Sequence, residues 1–287
     1  MINLLLGILF FNVILIIFKL FEKYGVDNLQ AIIVNYVVAS TLGILTCGIP
    51  SPILHIADSS WIWIALTIGF FFVVVFNLLA KGAQKVGMAV STVANKMSVI
   101  IPVIFAFAFL GNHVTLLKIV GITLALIGVY FTTTNGSKLN FDKKYLPLIL
   151  IIFFGQGIAD CLFNYAQHHY VESEESKIFI STMFAGACIT GLVLLIPQLI
   201  QKKSTLKFKN VLWGIGLGIP NFLTVYYFFQ ALESGIMESS QVYPILNMGV
   251  IVLSALSGYL LFKERLSKIN WLGIFISLLA IAAITFG

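Results

Sequence analysis

The sequence predicts an all-α integral membrane protein of ten transmembrane helices, and three observations carry that expectation. Hydrophobic residues fill 60% of the 287 positions and charged residues 10%, with a mean hydropathy of +1.03. A soluble fold must turn most of its surface to water, and this composition leaves too little polar surface to do so. The apolar residues also fall into ten runs, each close to the ~20 residues that carry a helix across the hydrocarbon core. Finally, the loops between runs are mostly four to twelve residues long, which leaves no room for an extramembrane catalytic domain.

The spans are expected at 2–20, 28–48, 60–81, 88–110, 115–134, 145–167, 176–198, 210–231, 238–261 and 268–287. Runs of this length satisfy their own backbone hydrogen bonds as helices, whereas barrel strands are shorter and alternate. The first opens at Ile2 with no basic leader or small-residue cleavage site and reads as a retained helix. Asn12 stands within it, seven residues before Lys19 and on the same face. Asn35 and Tyr36 interrupt the second span, Asn77 the third, and Asn95 with Lys96 the fourth. Gln156, Asp160 and Asn164 mark the sixth, Asn221 and Thr224 the eighth, and Ser240, Tyr243 and Asn247 the ninth. Pro102, Pro220 and Pro244 each remove a backbone hydrogen bond and are candidate kinks. Gly214, Gly216 and Gly218 suggest close helix packing; a dinucleotide fingerprint needs a preceding strand, and none is expected. Cys47, Cys161 and Cys188 lie one to a span, a spacing that suits neither a disulfide framework nor a metal cluster, so they read as small packing residues.

The formal net charge of +6 is unevenly placed. With loops numbered in chain order, the odd loops hold fourteen Lys and Arg residues and the even loops only Lys118 and Lys177. The positive-inside rule then puts the odd loops in the cytoplasm and both chain ends outside. The basic balance is a topology signal and not a nucleic-acid footprint.

The chain also repeats itself. Gly87-Met-Ala-Val-Ser-Thr92, opening the fourth span, echoes Gly235-Ile-Met-Glu-Ser-Ser240, opening the ninth. Leu110-Gly-Asn-His-Val-Thr115 aligns with Phe262-Lys-Glu-Arg-Leu-Ser267, and Gly121 with Gly273. Two five-helix repeats follow, 1–137 and 138–287, within one integral membrane unit. Five is odd, so the second crosses the membrane in the opposite sense, as an inverted repeat.

With the Ala89–Pro102 and Ser239–Pro244 helices and the Phe262-Lys-Glu-Arg-Leu266 turn before Trp271-Leu-Gly273, the chain resembles the drug/metabolite transporter superfamily, specifically its EamA-type ten-helix carriers. That resemblance implies a carrier of amino acids, related metabolites or amphipathic drugs, most often exporting, in the bacterial inner (plasma) membrane. The family usually has Glu in both copies of the turn, and here the first copy reads Gly111-Asn112-His113. The unmatched Glu264 is therefore expected to serve as a cap or loop contact.

Lys96 is the sharpest polar feature. It lies eight residues into its span, about 12 Å deep at 1.5 Å per residue. An ammonium there costs ~3 kcal/mol on insertion scales and needs a partner or a purpose. Asp160 is the expected partner. Gln156, Asp160 and Asn164 recur every four residues and share a helical face, which His168 extends. The expected substrate-binding set is Lys96, Asp160, Asn95, Gln156, Asn164, Asn12, Tyr243 and Asn247. Lys96 suits a carboxylate or phosphate and Asp160 an amine, so a zwitterion fits both. The same pair could instead lock two helices.

The expectation is a secondary transporter moving a small polar metabolite by alternating access, monomeric, with no cofactor, no metal and no enzymatic activity. No nucleotide-binding motif is present to couple it to ATP. The rival classes are an integral-membrane lipid flippase, a membrane enzyme and a channel. The one cluster that could serve an enzyme, His168, His169, Glu172, Glu174 and Glu175, reads as a solvated loop, and no filter motif or carboxylate ring suggests a channel.

Overall fold

Long apolar runs with few competing polar side chains close their backbone hydrogen bonds helically, and the described residues do so almost throughout. The computed structural model describes residues 2–46, 59–109, 115–133, 143–171, 175–202, 204–233 and 239–286. Among them stand eleven α-helices and no strand. They are α1 (Ile2–Tyr24), α2 (Asn28–Thr46), α3 (Ile62–Lys85), α4 (Met88–Met97), α5 (Ile100–Phe109) and α6 (Leu116–Thr133). After a 3-10 turn at Lys143–Tyr145 come α7 (Leu146–His169), α8 (Ser176–Ile200), α9 (Phe208–Glu233), α10 (Ser239–Phe262) and α11 (Lys268–Phe286). Eight of them, α1–α3 and α7–α11, are long and apolar enough to cross a membrane. The chain is a multi-pass membrane protein.

The run expected as one helix over 88–110 is instead two ten-residue helices, interrupted at Ser98 and Val99. Pro102 causes the break. It has no N–H to give the Ser98 carbonyl, and its ring crowds that oxygen. The Ser98 hydroxyl donates to the Asn95 carbonyl at 2.6 Å, which favours a turn over continued helix. Pro220, by contrast, is accommodated inside a continuous α9.

The helices sort into two compact units. One comprises Met1–Lys19, Leu78–Gly157 and Leu223–Gly287, the other Leu20–Asn77 and Ile158–Phe222. The sequence halves 1–137 and 138–287 each contribute to both.

In the first unit α6 and α11 run antiparallel with their backbones in near contact. A Cβ on Gly273 would stand 2.6 Å from the Thr132 nitrogen, and one on Gly121 2.9 Å from the Ile284 nitrogen. Asn270 closes the end of the pair. Its amide donates to the carbonyls of Phe131 and Thr132 at 3.2 and 3.0 Å, capping α6, while its oxygen accepts the Ser267 N–H at 2.9 Å. One side chain thus stops α6 and starts α11. Ala89, Val93 and Met97 of α4 pack with Ile251 and Ala255 of α10 and Ile274 and Ile281 of α11. Val90 and Ala94 pack with Ile149 and Ile152 of α7. Both apolar flanks of α4 are therefore used, which leaves its polar positions on the remaining faces.

In the second unit α2 lies against α8, where the Ser40 hydroxyl donates to the Ser181 carbonyl at 3.0 Å. Gly214 and Gly218 of α9 admit α2 closely, as expected, with Cβ positions 2.6 and 2.9 Å from the carbonyls of Ala31 and Asn35; Gly216 has nothing within 4 Å. At one end, Asn210 accepts the Asp27 N–H at 3.2 Å and donates to Gln30 at 2.7 Å, while Ser204 donates to Asp27 at 3.1 Å. At another, the buried Trp61 indole donates to Glu175 Oε2 at 2.9 Å. Glu175→Ala strands that N–H, a loss of ~1–3 kcal/mol. A tryptophan-fluorescence melt in detergent is expected to shift down for Glu175→Ala and to move little for Glu175→Gln, which keeps an acceptor.

Candidate functional site: polar residues on α1, α4, α7 and α10

Lys96 stands at the last turn of α4, one residue before the helix ends, and is half-buried. Its ammonium lies 4.1 Å from the ring centroid of Phe11 on α1. A desolvated cation–π contact returns about 2 kcal/mol, against the ~3 kcal/mol cost of a central ammonium. Phe11 therefore offsets most of that cost.

The neighbours of Lys96 are tied down. Asn95, only 4% exposed, donates its amide to Gln156 Oε1 of α7 at 3.0 Å. Asn12, adjacent to Phe11, donates to the Ser257 hydroxyl of α10 at 2.8 Å. Four of the expected residues, Lys96, Asn95, Gln156 and Asn12, thus belong to the first unit and are held by contacts among α1, α4, α7 and α10. Asn247, on α10, is half-buried, and the Tyr243 side chain lies outside the described part of the structure.

Asp160 and Asn164 belong to the second unit. With Gln156 they form a half-buried stripe along the uninterrupted α7, neither sunk in a core nor fully exposed. The His168 side chain, expected to extend the stripe, lies outside the described part. Deeper in that unit, the Asn221 amide donates to Asn35 Oδ1 at 3.1 Å, interhelical pairing of the kind that holds membrane helices together.

A second feature of α4 was not legible beforehand. Ser91 and Thr92 are completely buried, and their hydroxyls have no hydrogen-bond partner among the described residues; nor has the Asn12 carbonyl oxygen. Helical Ser and Thr usually bond back to the carbonyl four residues earlier, as Thr41, Thr67 and Thr123 do here at 2.8, 2.8 and 3.0 Å. Each buried orphan costs ~1–3 kcal/mol.

Glu264 is the cap the sequence led us to expect. Gly87, at the N-cap of α4, has φ +131° and no side chain to offer the free amides that follow. Glu264 reaches in from the turn after α10, and its two oxygens accept the Met88 N–H at 3.1 and 3.0 Å. A carboxylate at that helix start also complements the macrodipole. What sequence reading missed is Lys19, counted there only as a topology charge. Its ammonium lies 3.0 Å from Glu264 Oε1 and donates to the Ala83 carbonyl at 2.9 Å. The available signal was the shared face of Asn12 and Lys19, seven residues apart.

The fold defines a class: a multi-pass helical membrane protein with polar side chains gathered inside its helical units. The EamA-like transporter family matches residues 1–134 and 171–286, and the chain belongs to that family, whose members are transporters. An uncharacterized protein of Haemophilus influenzae is 32% identical, over 97% of this chain and 96% of its own. A protein of known crystal structure shares the fold at TM-score 0.60 and 16% identity, covering 99% of this chain and 96% of that one.

Proposed function

We propose that the protein is a secondary carrier that exports a small polar metabolite, an amino acid or related zwitterion or anion, across a bacterial inner membrane by alternating access. The observation that carries the substrate class is Lys96: an ammonium deep in an apolar helix, resting on a ring, with Asn95 and Gln156 beside it. A carboxylate or phosphate is the group so placed a cation binds. Asp160 is proposed as the amine-binding group from the sequence pattern alone.

The carrier architecture is proposed as ten spans in two inverted five-helix repeats, with α4 and α5 together forming the fourth span. Several contacts support this reading. Packing joins α2 to α8, α4 to α10 and α6 to α11, the pairs that the repeat makes equivalent. Broken helices near a substrate site are common in carriers built from inverted repeats. End contacts also keep loop parity: Lys19 meets Ala83 and Glu264 at odd-loop ends, and Trp61 meets Glu175 at even ones. The charge bias assigns the odd ends to the cytoplasm, and a monomer is expected.

The test is a ligand-induced melting screen of the purified protein in detergent with amino acids, organic acids and amines. A ligand that binds only the folded state must raise its melting midpoint. Stabilisation by acids or zwitterions and not by simple amines supports the assignment; stabilisation by amines alone contradicts it.

A further inference from the structure

We propose that Lys19, Glu264 and the start of α4 form a latch that keeps the polar positions of α4 shut in this conformation, and that the latch opens during transport. The inference rests on the carrier reading and adds to it a gate at one end of the first unit.

The geometry is a three-way tie among α1, α10 and the α3–α4 turn. Glu264 holds the Met88 N–H with both oxygens and Lys19 with one, at 3.0 Å, while Lys19 also holds the Ala83 carbonyl at 2.9 Å. The turn that presents Glu264 is itself closed by its N–H donating to the Gly258 carbonyl at 2.9 Å. Gly87 is needed twice over. Its φ of +131° suits glycine, and a Cβ there would stand 3.2 Å from Glu264 Oε2. The ionic side chains are 19% and 12% exposed, so the tie is shielded from most solvent without being sealed from it.

Directly beyond the latch, among the first five residues of α4, come the hydroxyls of Ser91 and Thr92, which like the Asn12 oxygen on α1 have no hydrogen-bond partner among the described residues. A permanent strut gains nothing from buried polar atoms that have no partner among the described residues, because alanine or valine would fill the same space at lower cost. The arrangement makes sense if those atoms meet water or substrate in a second conformation. The latch then favours the closed state and the orphans oppose it, which keeps the two conformations close enough in energy to exchange. Lys96 stands one turn beyond Thr92 on the same helical face, so a release of the α4 start uncovers the path towards it.

The experiment measures thiol accessibility and needs no knowledge of the substrate. Cys47, Cys161 and Cys188 are replaced by alanine, and Thr92→Cys is introduced as the reporter. Its labelling rate by a polar maleimide is followed in detergent, with and without Lys19→Met or Glu264→Ala. A second protein retaining Cys188 alone, in the other unit, reports general loosening. The expected result is a rise of about tenfold or more in labelling at position 92 on loss of either latch residue, with Cys188 unchanged. Equal labelling at position 92 with and without the latch overturns the gate, and so does a parallel rise at Cys188. If the latched and unlatched proteins label alike while the reconstituted wild type still exchanges solutes, the gate falls and the carrier reading stands. Independently, Thr92→Val is expected to raise the melting midpoint of the wild type; a lower midpoint means the hydroxyl is structural and contradicts the proposal.

Discussion

Gly273→Leu is expected to yield no monodisperse protein, and Gly273→Ala a folded protein with a sharply lowered melting midpoint. A Cβ at this position meets the Thr132 nitrogen at 2.6 Å and the Phe131 carbonyl carbon at 2.9 Å. Both obstacles are backbone of α6, so no side-chain rotation relieves the clash, and the two helices must part along their length. Overpacking in cores costs 1–3 kcal/mol when side chains can shift, and a backbone obstacle puts the cost at about 3 kcal/mol or more. Parting the helices also draws Asn270 away from the two α6 carbonyls it caps. Gly69→Ala is the counterpart in the second unit, where a Cβ meets the Ala187 nitrogen at 2.6 Å and the Met183 oxygen at 2.7 Å. The control is Gly216→Ala, which has nothing within 4 Å and is expected to be neutral. Size-exclusion profiles and melting midpoints in one detergent decide the comparison, and a neutral Gly273→Ala would contradict the packing described.

Lys96→Ala is expected to abolish the ligand-induced rise in melting midpoint while leaving the ligand-free midpoint near that of the wild type. A hydrogen bond from an ammonium to an anionic group is worth ~1.5–3 kcal/mol, and 1.4 kcal/mol is tenfold in affinity, so binding weakens by about 10- to 150-fold. The ligand-free protein loses the contact with Phe11 and also sheds the cost of a deep ammonium, and these two changes largely cancel. A structural lock behaves in the opposite way. Removing one charge from a buried pair leaves the other uncompensated and costs 3–5 kcal/mol. A collapse of the ligand-free midpoint by that amount therefore assigns Lys96 to fold stability and removes it from the site.

The contrast between these two residues shows what can be read from the sequence. Gly273 was visible through its alignment with Gly121, and the eight helices long and apolar enough to cross a membrane were legible from run length, because span length is a local property. Glu264 was legible as a cap or loop contact because the first copy of the turn has no matching Glu and reads Gly111-Asn112-His113. The ring contact of Lys96 was not legible in the same way. Phe11 is one of 25 phenylalanines and looks like any lipid-facing ring until α1 is placed beside α4. The break at Ser98 and Val99 follows from Pro102, which the sequence marks as a candidate kink, and is reinforced by the Ser98 hydroxyl, which it does not mark. Ser91 and Thr92 were visible only as markers of the repeat, since a missing hydrogen bond has no signature in sequence. The interleaving of both halves into each compact unit is likewise a tertiary property.

The most direct test of the central claim is counterflow in proteoliposomes with whichever solute raises the melting midpoint. A carrier reorients with substrate bound, so unlabelled solute inside must accelerate entry of labelled solute from outside, with saturation and without ATP. The account predicts that acceleration in the wild type and its loss in Lys96→Ala. Flux that rises linearly with concentration and ignores the internal solute would mean a channel, and a solute that binds without crossing would mean that the protein does not carry it.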